Sequence, residues 1–415
     1  MKKLFFINDT LENKISYYLL ACFLIALPYQ HFFSEILLSC FAIHTLIHLR
    51  KARLPMLKNK TVWIISSIFF LNLITISYSN YTSEGFKDVD HQLGILLFPV
   101  CLSITNLNLN KYKLSLLKIF AFTCTFTIIY LFVDAFRIIH YFHLPYSSFL
   151  SRTFINQSFS APIGLHATYL SMYVALSISL FLYLFFCDRK INNWRYIFFA
   201  GILSAGLIQL SSRAVFISMC IIIIIAVPTL LLYGKKKLRF FLISFLAFLL
   251  IAFTITSVGS LKKRYISDLE TDLSENGITP DHSETRMKRW NLEWEIILKS
   301  PVIGYGSGSE KYVLKNNYFE KKFYISYLLR LNAHNQYLSF LLNTGIIGLL
   351  LYLYILYYGF SSAIKRKDFL QLSFMILIAV VSVSENILDV NKGIFFYSFF
   401  FSLFALSIPK ENITV

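Results

Sequence analysis

Charge is scarce in this chain, and acid scarcer still: 15% of its 415 residues are charged, with 22 Asp and Glu against 39 Lys and Arg. Soluble domains carry about a quarter of their residues as charges, so a soluble multidomain protein is excluded and length no longer counts domains. Cysteine is sparse as well. Cys22, Cys40, Cys101, Cys124, Cys187 and Cys220 lie within or at the edge of apolar stretches, and none stands in a CxxC spacing. This excludes a disulfide-stapled loop and a cysteine metal or redox centre, and leaves small packing residues. Internal repeats and low-complexity segments are lacking. No cleavable leader is expected either: Met1-Lys2-Lys3-Leu4-Phe5-Phe6 opens like one, but Asn8, Asp9, Glu12 and Asn13 interrupt the apolar run and no small-residue cleavage site follows. The first helix is therefore expected to stay in place.

What the chain does have is apolar surface. Hydrophobic residues make up 56% of it, with 42 Phe and 26 Tyr, and the mean hydropathy is +0.61. That is membrane-protein composition, with aromatic rings suited to lipid contact and to anchoring at the headgroups. The net charge of +17 would suit nucleic acid if it formed a face. It falls instead in short clusters between apolar runs, which reads as topology.

A spanning helix needs about 20 mostly apolar residues. About twelve candidates begin near residues 15, 35, 62, 91, 115, 163, 195, 214, 238, 336, 368 and 393. The second and fourth are short, and the fourth contains Pro99. With the N-terminus inside, the inner loops carry Arg50, Lys51, Arg53, Lys58 and Lys60; Lys111 and Lys113; Arg189, Lys190 and Arg195; Lys235, Lys236, Lys237 and Arg239; and Lys365, Arg366 and Lys367. The short outer loops are acidic or neutral, with Glu84, Asp88 and Asp90 against Lys87, and Glu385 and Asp389 against Lys392. This alternation obeys the positive-inside rule and puts both termini inside. The chain then divides into helices one to nine over 1–258, a large outer loop over 259–335, and helices ten to twelve over 336–415. That loop is basic, but loops longer than about 60 residues are exempt from the rule.

Inside the loop, Asp281, Ser283 and Thr285 offer N-capping side chains, and Trp290, Trp294 and Ile297 or Leu298 recur at helical spacing before Pro301. Arg286 shares their face. Such a helix is expected to lie along the membrane surface. Ile303-Gly304-Tyr305-Gly306-Ser307-Gly308-Ser309 reads as a flexible turn, and no Lys-Ser or Lys-Thr follows its glycines to make a phosphate loop.

Three residues invite chemistry. Arg213 follows Ser211-Ser212 with no room for a real loop, so it sits at or just below the outer surface. An arginine there either snorkels to the headgroups or clamps phosphate with its planar fork. Arg286 opens the surface helix. His334 precedes a long apolar helix, where it is either an interfacial capping residue or a base suited to neutral pH.

The pair His334-Asn335, followed after nine residues by Gly345-Ile346-Ile347-Gly348, joins Arg286, Trp290 and the run Ser300-Pro301-Val302-Ile303-Gly304-Tyr305-Gly306. Together these resemble the signature of the O-antigen ligase and polymerase superfamily, the histidine-asparagine pair looking more like the ligase branch. The resemblance is specific over residues 201–350 and rests on topology before them. It implies an all-α membrane fold of the GT-C type with about twelve helices. It also implies en bloc transfer of a glycan from undecaprenyl pyrophosphate to a sugar hydroxyl of lipid A-core, by a single inverting displacement without metal or other cofactor. Arg213 and Arg286 would bind the pyrophosphate, and His334 would activate the acceptor hydroxyl. Asn335, Arg289, His166, Tyr305 and Arg152 are candidates to line the substrate site. Arg289, on another face from Arg286, is expected to meet headgroups, and His166 to line a groove or simply to pack. For Arg152, Glu385 and Lys392 the plainer reading is a solvated loop charge. The implied partners are the lipid-linked donor, the lipid A-core acceptor and membrane lipids, with no nucleic acid. The implied location is the bacterial inner membrane with a periplasmic site. A Wzy-type polymerase, a protein O-oligosaccharyltransferase and a secondary transporter stand as alternatives. The transporter is disfavoured because the helix centres carry almost no charge.

Overall fold

The computed structural model of the protein describes residues 6–29, 31–187, 193–232, 234–274 and 283–407. The start at Met1, the loop cations Arg189 and Lys190 and the capping candidate Asp281 lie outside these residues. Among the described residues every regular element is helical. Hydrocarbon demands this, because a segment without water must satisfy its own amide groups.

The main helices are α1 (Leu11–Ala26), α2 (His31–Ile47), α3 (Lys60–Thr75), α4 (Thr82–His91), α5 (Leu93–Ile104), α6 (Leu109–Tyr141), α7 (Ala167–Cys187), α8 (Trp194–Leu210), α9 (Arg213–Ile221), α10 (Lys235–Ser257), α11 (Asp268–Leu273), α12 (Arg286–Ile297), α13 (Glu310–Glu320), α14 (Tyr324–Leu329), α15 (Gln336–Lys365), α16 (Phe369–Val381) and α17 (Asn391–Leu406). Among the described residues six helices are long and apolar enough to cross a membrane, or seven if α2 and the 3-10 turn Lys51–Lys58, bent by 119°, count as one span. The helices α8, α16 and α17 are apolar but shorter. The chain is thus a polytopic all-α membrane protein. Apolar helices begin near the expected positions, but six rather than about twelve have the length of a span. Hydropathy locates an apolar segment without saying where its helix stops.

The centre of the bundle is aromatic. Phe374 on α16 meets Phe396, Phe400, Phe401 and Phe404 on α17 with ring centroids 5.5 to 6.4 Å apart. Phe98 on α5 bridges Phe23 on α1, at 4.9 Å, and Phe399, at 5.4 Å. Many phenylalanines that composition assigns to lipid therefore build the core. Between helices in lipid the attraction is close packing rather than exclusion of water, and large flat rings supply it. Four core hydroxyls bond within their own helix: Ser171, Ser177, Ser373 and Ser398 each donate to the carbonyl four residues back, which satisfies their donors. By contrast α10 has no buried residue.

Side chains stitch each end of the bundle separately. At one end Asp9 pairs with Lys111, Glu12 with Arg50, and Lys113 with Asp368. At the other, the loop between α12 and α13 docks on α3 and α15. Tyr305 and Gly306 donate their amides to the Leu342 and Asn343 carbonyls at 2.9 and 2.7 Å, and Ser307 hydrogen-bonds Thr75 at 2.7 Å. The loop over 303–309 is therefore a seated turn, not a flexible one. Gly308 has a φ of +82°, and a Cβ there would come 2.2 Å from the Gly85 amide nitrogen. Gly345 breaks α15 at a φ of +64°, where a Cβ would stand 2.1 Å from the Val302 carbonyl oxygen. Only glycine adopts this backbone without penalty and admits so close a neighbour. The break lets the segment leaving α12 lie against the helix that His334 precedes.

Candidate active site

His334 stands just before α15 with a φ of +48°, a left-handed conformation costly for a residue with a side chain. Its neighbours hold it there. The Ala333 amide donates to Glu310 Oε1 at 3.2 Å, the Ala333 carbonyl accepts from Trp290 Nε1 at 2.8 Å, and the His334 amide donates to Asn332 Oδ1 at 3.2 Å. Asn335 caps α15, its side chain accepting from the Tyr337 and Leu338 amides at 3.0 and 3.3 Å, as Asn does at helix starts.

The turn between α16 and α17 is fastened to the same point. The Asn335 amide donates to Asn386 Oδ1 at 2.7 Å, the Gln336 amide to the Ser382 carbonyl at 2.8 Å, and the Leu388 amide to Gln336 Oε1 at 2.8 Å. This brings Glu385 to the histidine, with His334 Nδ1 3.2 Å from Glu385 Oε2. Thr168, at the start of α7, donates to the other carboxylate oxygen at 3.2 Å. Burial alone would raise the Glu385 carboxyl. The hydrogen bond from His334 and the nearby His334, His166 and Arg286 outweigh it and hold the carboxyl below its ordinary value. A neutral imidazole that donates Nδ1–H to a carboxylate keeps its Nε2 lone pair free to take a proton.

The arginines come from two helix starts. Helix α8 ends at Leu210, Ser211 turns left-handed at φ +48°, Ser212 is extended, and Arg213 opens α9. Thr285 caps α12, accepting from the Lys288 amide, and Arg286 is its first residue. Both guanidiniums reach Asp272 Oδ2 on α11, Arg213 at 2.5 Å and Arg286 at 3.9 Å. Arg286 also donates to the Ser384 carbonyl at 3.1 Å, one residue before Glu385. The arginine pair and the histidine-carboxylate pair are therefore adjacent, although they come from four distant parts of the chain.

The other sequence candidates are distributed around this centre. Arg152 pairs with Asp268 at 3.3 Å. His166 lines a groove of about 1120 Å³ with Tyr29, Phe32, Phe126, Tyr130 and Ile163. Enclosure by protein lowers its basicity most, and the pull of Glu385 opposes this. Tyr305 stands apart, its hydroxyl donating to the Ile296 carbonyl at 3.1 Å. Arg289 differs from expectation: it is buried rather than at headgroups, and it donates to the Asn332 carbonyl at 3.4 Å. The buried face of α12 is Arg289, Leu292, Glu293, Ile296 and Ile297, while Trp294 is half exposed. Glu385 and Lys392, read as solvated, are 9% and 7% exposed.

Sequence reasoning did not single out Glu310, Asp272 or Arg264. Glu310 is 5% exposed and ties Ala333 to Asn386, Ser339 and Asn343. Glu385 did carry a signal, an acid in a short link between two apolar helices of a chain poor in acids. The buried position of Glu310 and the partly buried ones of Asp272 and Arg264 have no counterpart in local pattern.

No curated protein matches this chain. Residues 198–353, a segment that contains Arg213, Arg286 and His334, match the family model described as O-Antigen ligase.

Proposed function

We propose that the protein is a membrane glycosyltransferase of the ligase type, moving a glycan from undecaprenyl pyrophosphate to a sugar hydroxyl of lipid A-core. The observation that carries the reading is the adjacency of two pairs. Arg213 and Arg286 share Asp272, and Arg286 also holds the Ser384 carbonyl beside the Glu385 that hydrogen-bonds His334.

In this reading the acceptor hydroxyl attacks the anomeric carbon from the face opposite the pyrophosphate. His334 Nε2 takes the hydroxyl proton as the new carbon–oxygen bond forms. The old anomeric bond breaks, and its electron pair leaves on the pyrophosphate. Configuration inverts in one displacement. Pyrophosphate is already a good leaving group, so cations fixed where its charge grows supply much of the catalysis, and the base has a single proton to accept. Glu385 orients the imidazole and stabilises the imidazolium that results. The polyprenyl chain occupies the groove beside His166. The reaction needs no metal, the short helices complete about twelve crossings of a GT-C-type arrangement, and the site faces the periplasm of the inner membrane.

Deletion of the gene tests the proposal. Surface lipopolysaccharide should lose its long chains while lipid-linked polymer accumulates. Loss of chain length with single units still attached would instead mark a polymerase. Unchanged lipopolysaccharide alongside loss of glycan from proteins would mark a protein O-oligosaccharyltransferase.

A further inference from the structure

Arg213 and Arg286 have a neighbour whose role is still open. Arg264 lies in the helical turn Lys263–Ser267 that leads into α11, and 27% of its side chain is exposed. Its Nη1 is 3.8 Å from Asp268 Oδ2, and Arg152 donates to both oxygens of that carboxylate, at 3.3 and 3.4 Å. One turn later Asp272 is shared by Arg213 and Arg286. Four guanidiniums thus divide two carboxylates among them, Glu385 being engaged by His334. Among the described residues, Nη1 of Arg213 and Nε of Arg264 are buried without a hydrogen-bond partner.

Guanidinium does not lose its proton in proteins, so crowding of this kind is not relieved by titration. Burial and the charge of Arg213 press on Arg264, and burial presses likewise on Arg286. Buried charged donors call for acceptors. A pyrophosphate diester carries a charge on each phosphate and is ringed by acceptor oxygens, which matches two surplus cations and two idle N–H groups. Asp268 is held at both oxygens. The contacts of Asp272 are made through one oxygen, with the two arginines already assigned to phosphate.

Building on the donor reading given above, we propose that Arg264 is a third phosphate-binding residue of this site. Asp272 is its internal counter-ion, seated between Arg213 and Arg286 until the phosphates of the donor displace it. A carboxylate there keeps the arginines gathered while the site is empty and competes with the incoming anion.

The test is a binding titration of the full chain in nanodiscs with undecaprenyl pyrophosphate, thermal unfolding being followed for each variant. Arg264→Ala should weaken binding by about tenfold or more, the size of one charge-assisted hydrogen bond. Arg264→Lys should restore part of it. Asp272→Asn should tighten binding, the opposite of what loss of a merely structural ion pair would do. Unchanged affinity in Arg264→Ala, or equal or weaker binding in Asp272→Asn with unfolding unaltered, overturns the proposal. If Arg213→Ala and Arg286→Ala lose the lipid while the Arg264 and Asp272 variants bind as the native chain does, this inference alone fails. If the native chain does not bind the lipid, or Arg213→Ala and Arg286→Ala bind it undiminished, the donor reading fails first.

Discussion

At the end of the bundle where the chain enters α1, each acid among the described residues has a cation of its own: Asp9 has Lys111, Glu12 has Arg50 and Asp368 has Lys113. At the opposite end Arg152 and Arg264 share Asp268, Arg213 and Arg286 share Asp272, and two of the guanidinium N–H groups have no partner among the described residues. One-to-one pairing is what fastening loops requires. An excess of fixed, partly buried cations does little for stability, since burial of unneutralised charge is unfavourable. Its presence beside a histidine held by a carboxylate points to a ligand that brings the missing negative charge.

The contrast breaks first, and by most, at the histidine. His334→Ala should lower glycan transfer by about 100- to 10,000-fold, the range for a lost general base, with the protein still inserted and folded. Retained transfer would remove the histidine from the mechanism. Arg213→Ala or Arg286→Ala should each cost about 100- to 1,000-fold, the range for one lost donor to developing charge. Lysine at either position should rescue poorly, because a point charge cannot make the forked contact. At the opposite end, Arg50→Ala should leave transfer unchanged and cost under about 1 kcal/mol of stability, as exposed pairs do. A similar loss of transfer in Arg50→Ala would erase the distinction between the two ends.

How much of this was legible depends on the range over which each feature is determined. The apolar runs, the helix start at Thr285-Arg286 and the tight Ser211-Ser212-Arg213 link are local and could be read in order along the chain. The partners of the key residues could not. His334 and Glu385 are 51 residues apart and Arg213 and Asp272 are 59 apart, and no periodicity links them. The 303–309 turn shows why composition misleads: its glycines suggest flexibility, yet their positive φ angles serve a docked backbone. The same holds for Arg289, Glu385 and Lys392. Charge predicts solvent, and tertiary hydrogen bonds overrule it. The resemblance supplied what pattern could not, namely the expectation that arginines and histidine scattered over the segment act together.

A smaller effect is expected at Glu385. Its carboxyl is held below the ordinary range, so its contribution to stability is complete above the ordinary value and is lost as pH falls through the lowered one. Glu385→Gln should therefore unfold at a lower temperature than the native chain at neutral pH, with the gap closing in strong acid. Turnover should fall more than donor affinity, because the amide no longer fixes the imidazole tautomer. A pure loss of donor affinity would mean that Glu385 serves the arginines and not the histidine.

The smallest effect sharpens the comparison from behind the site. Asp389 accepts from Asn386 Nδ2 at 2.8 Å, and Asn386 also donates to Glu310 at 3.1 Å. Burial first, then the neighbouring Glu310 and Asp88, raise the Asp389 carboxyl from 3.8 to about 8. The unfolded chain would release this proton near the ordinary value, the folded chain only near 8. Folding is therefore increasingly penalised as pH rises through that window, and the penalty is constant above it. Asp389→Asn keeps an acceptor for Asn386 and removes the titration. Its unfolding temperature should exceed that of the native chain, by more at pH 8 than at pH 4, while transfer stays unchanged because the residue lies behind Asn386 and away from the arginines. An equal difference at both pH values would show that Asp389 does not hold its proton. Asp389 would then be charged, and the electrostatic contrast between the two ends would be weaker than the arginine cluster alone implies.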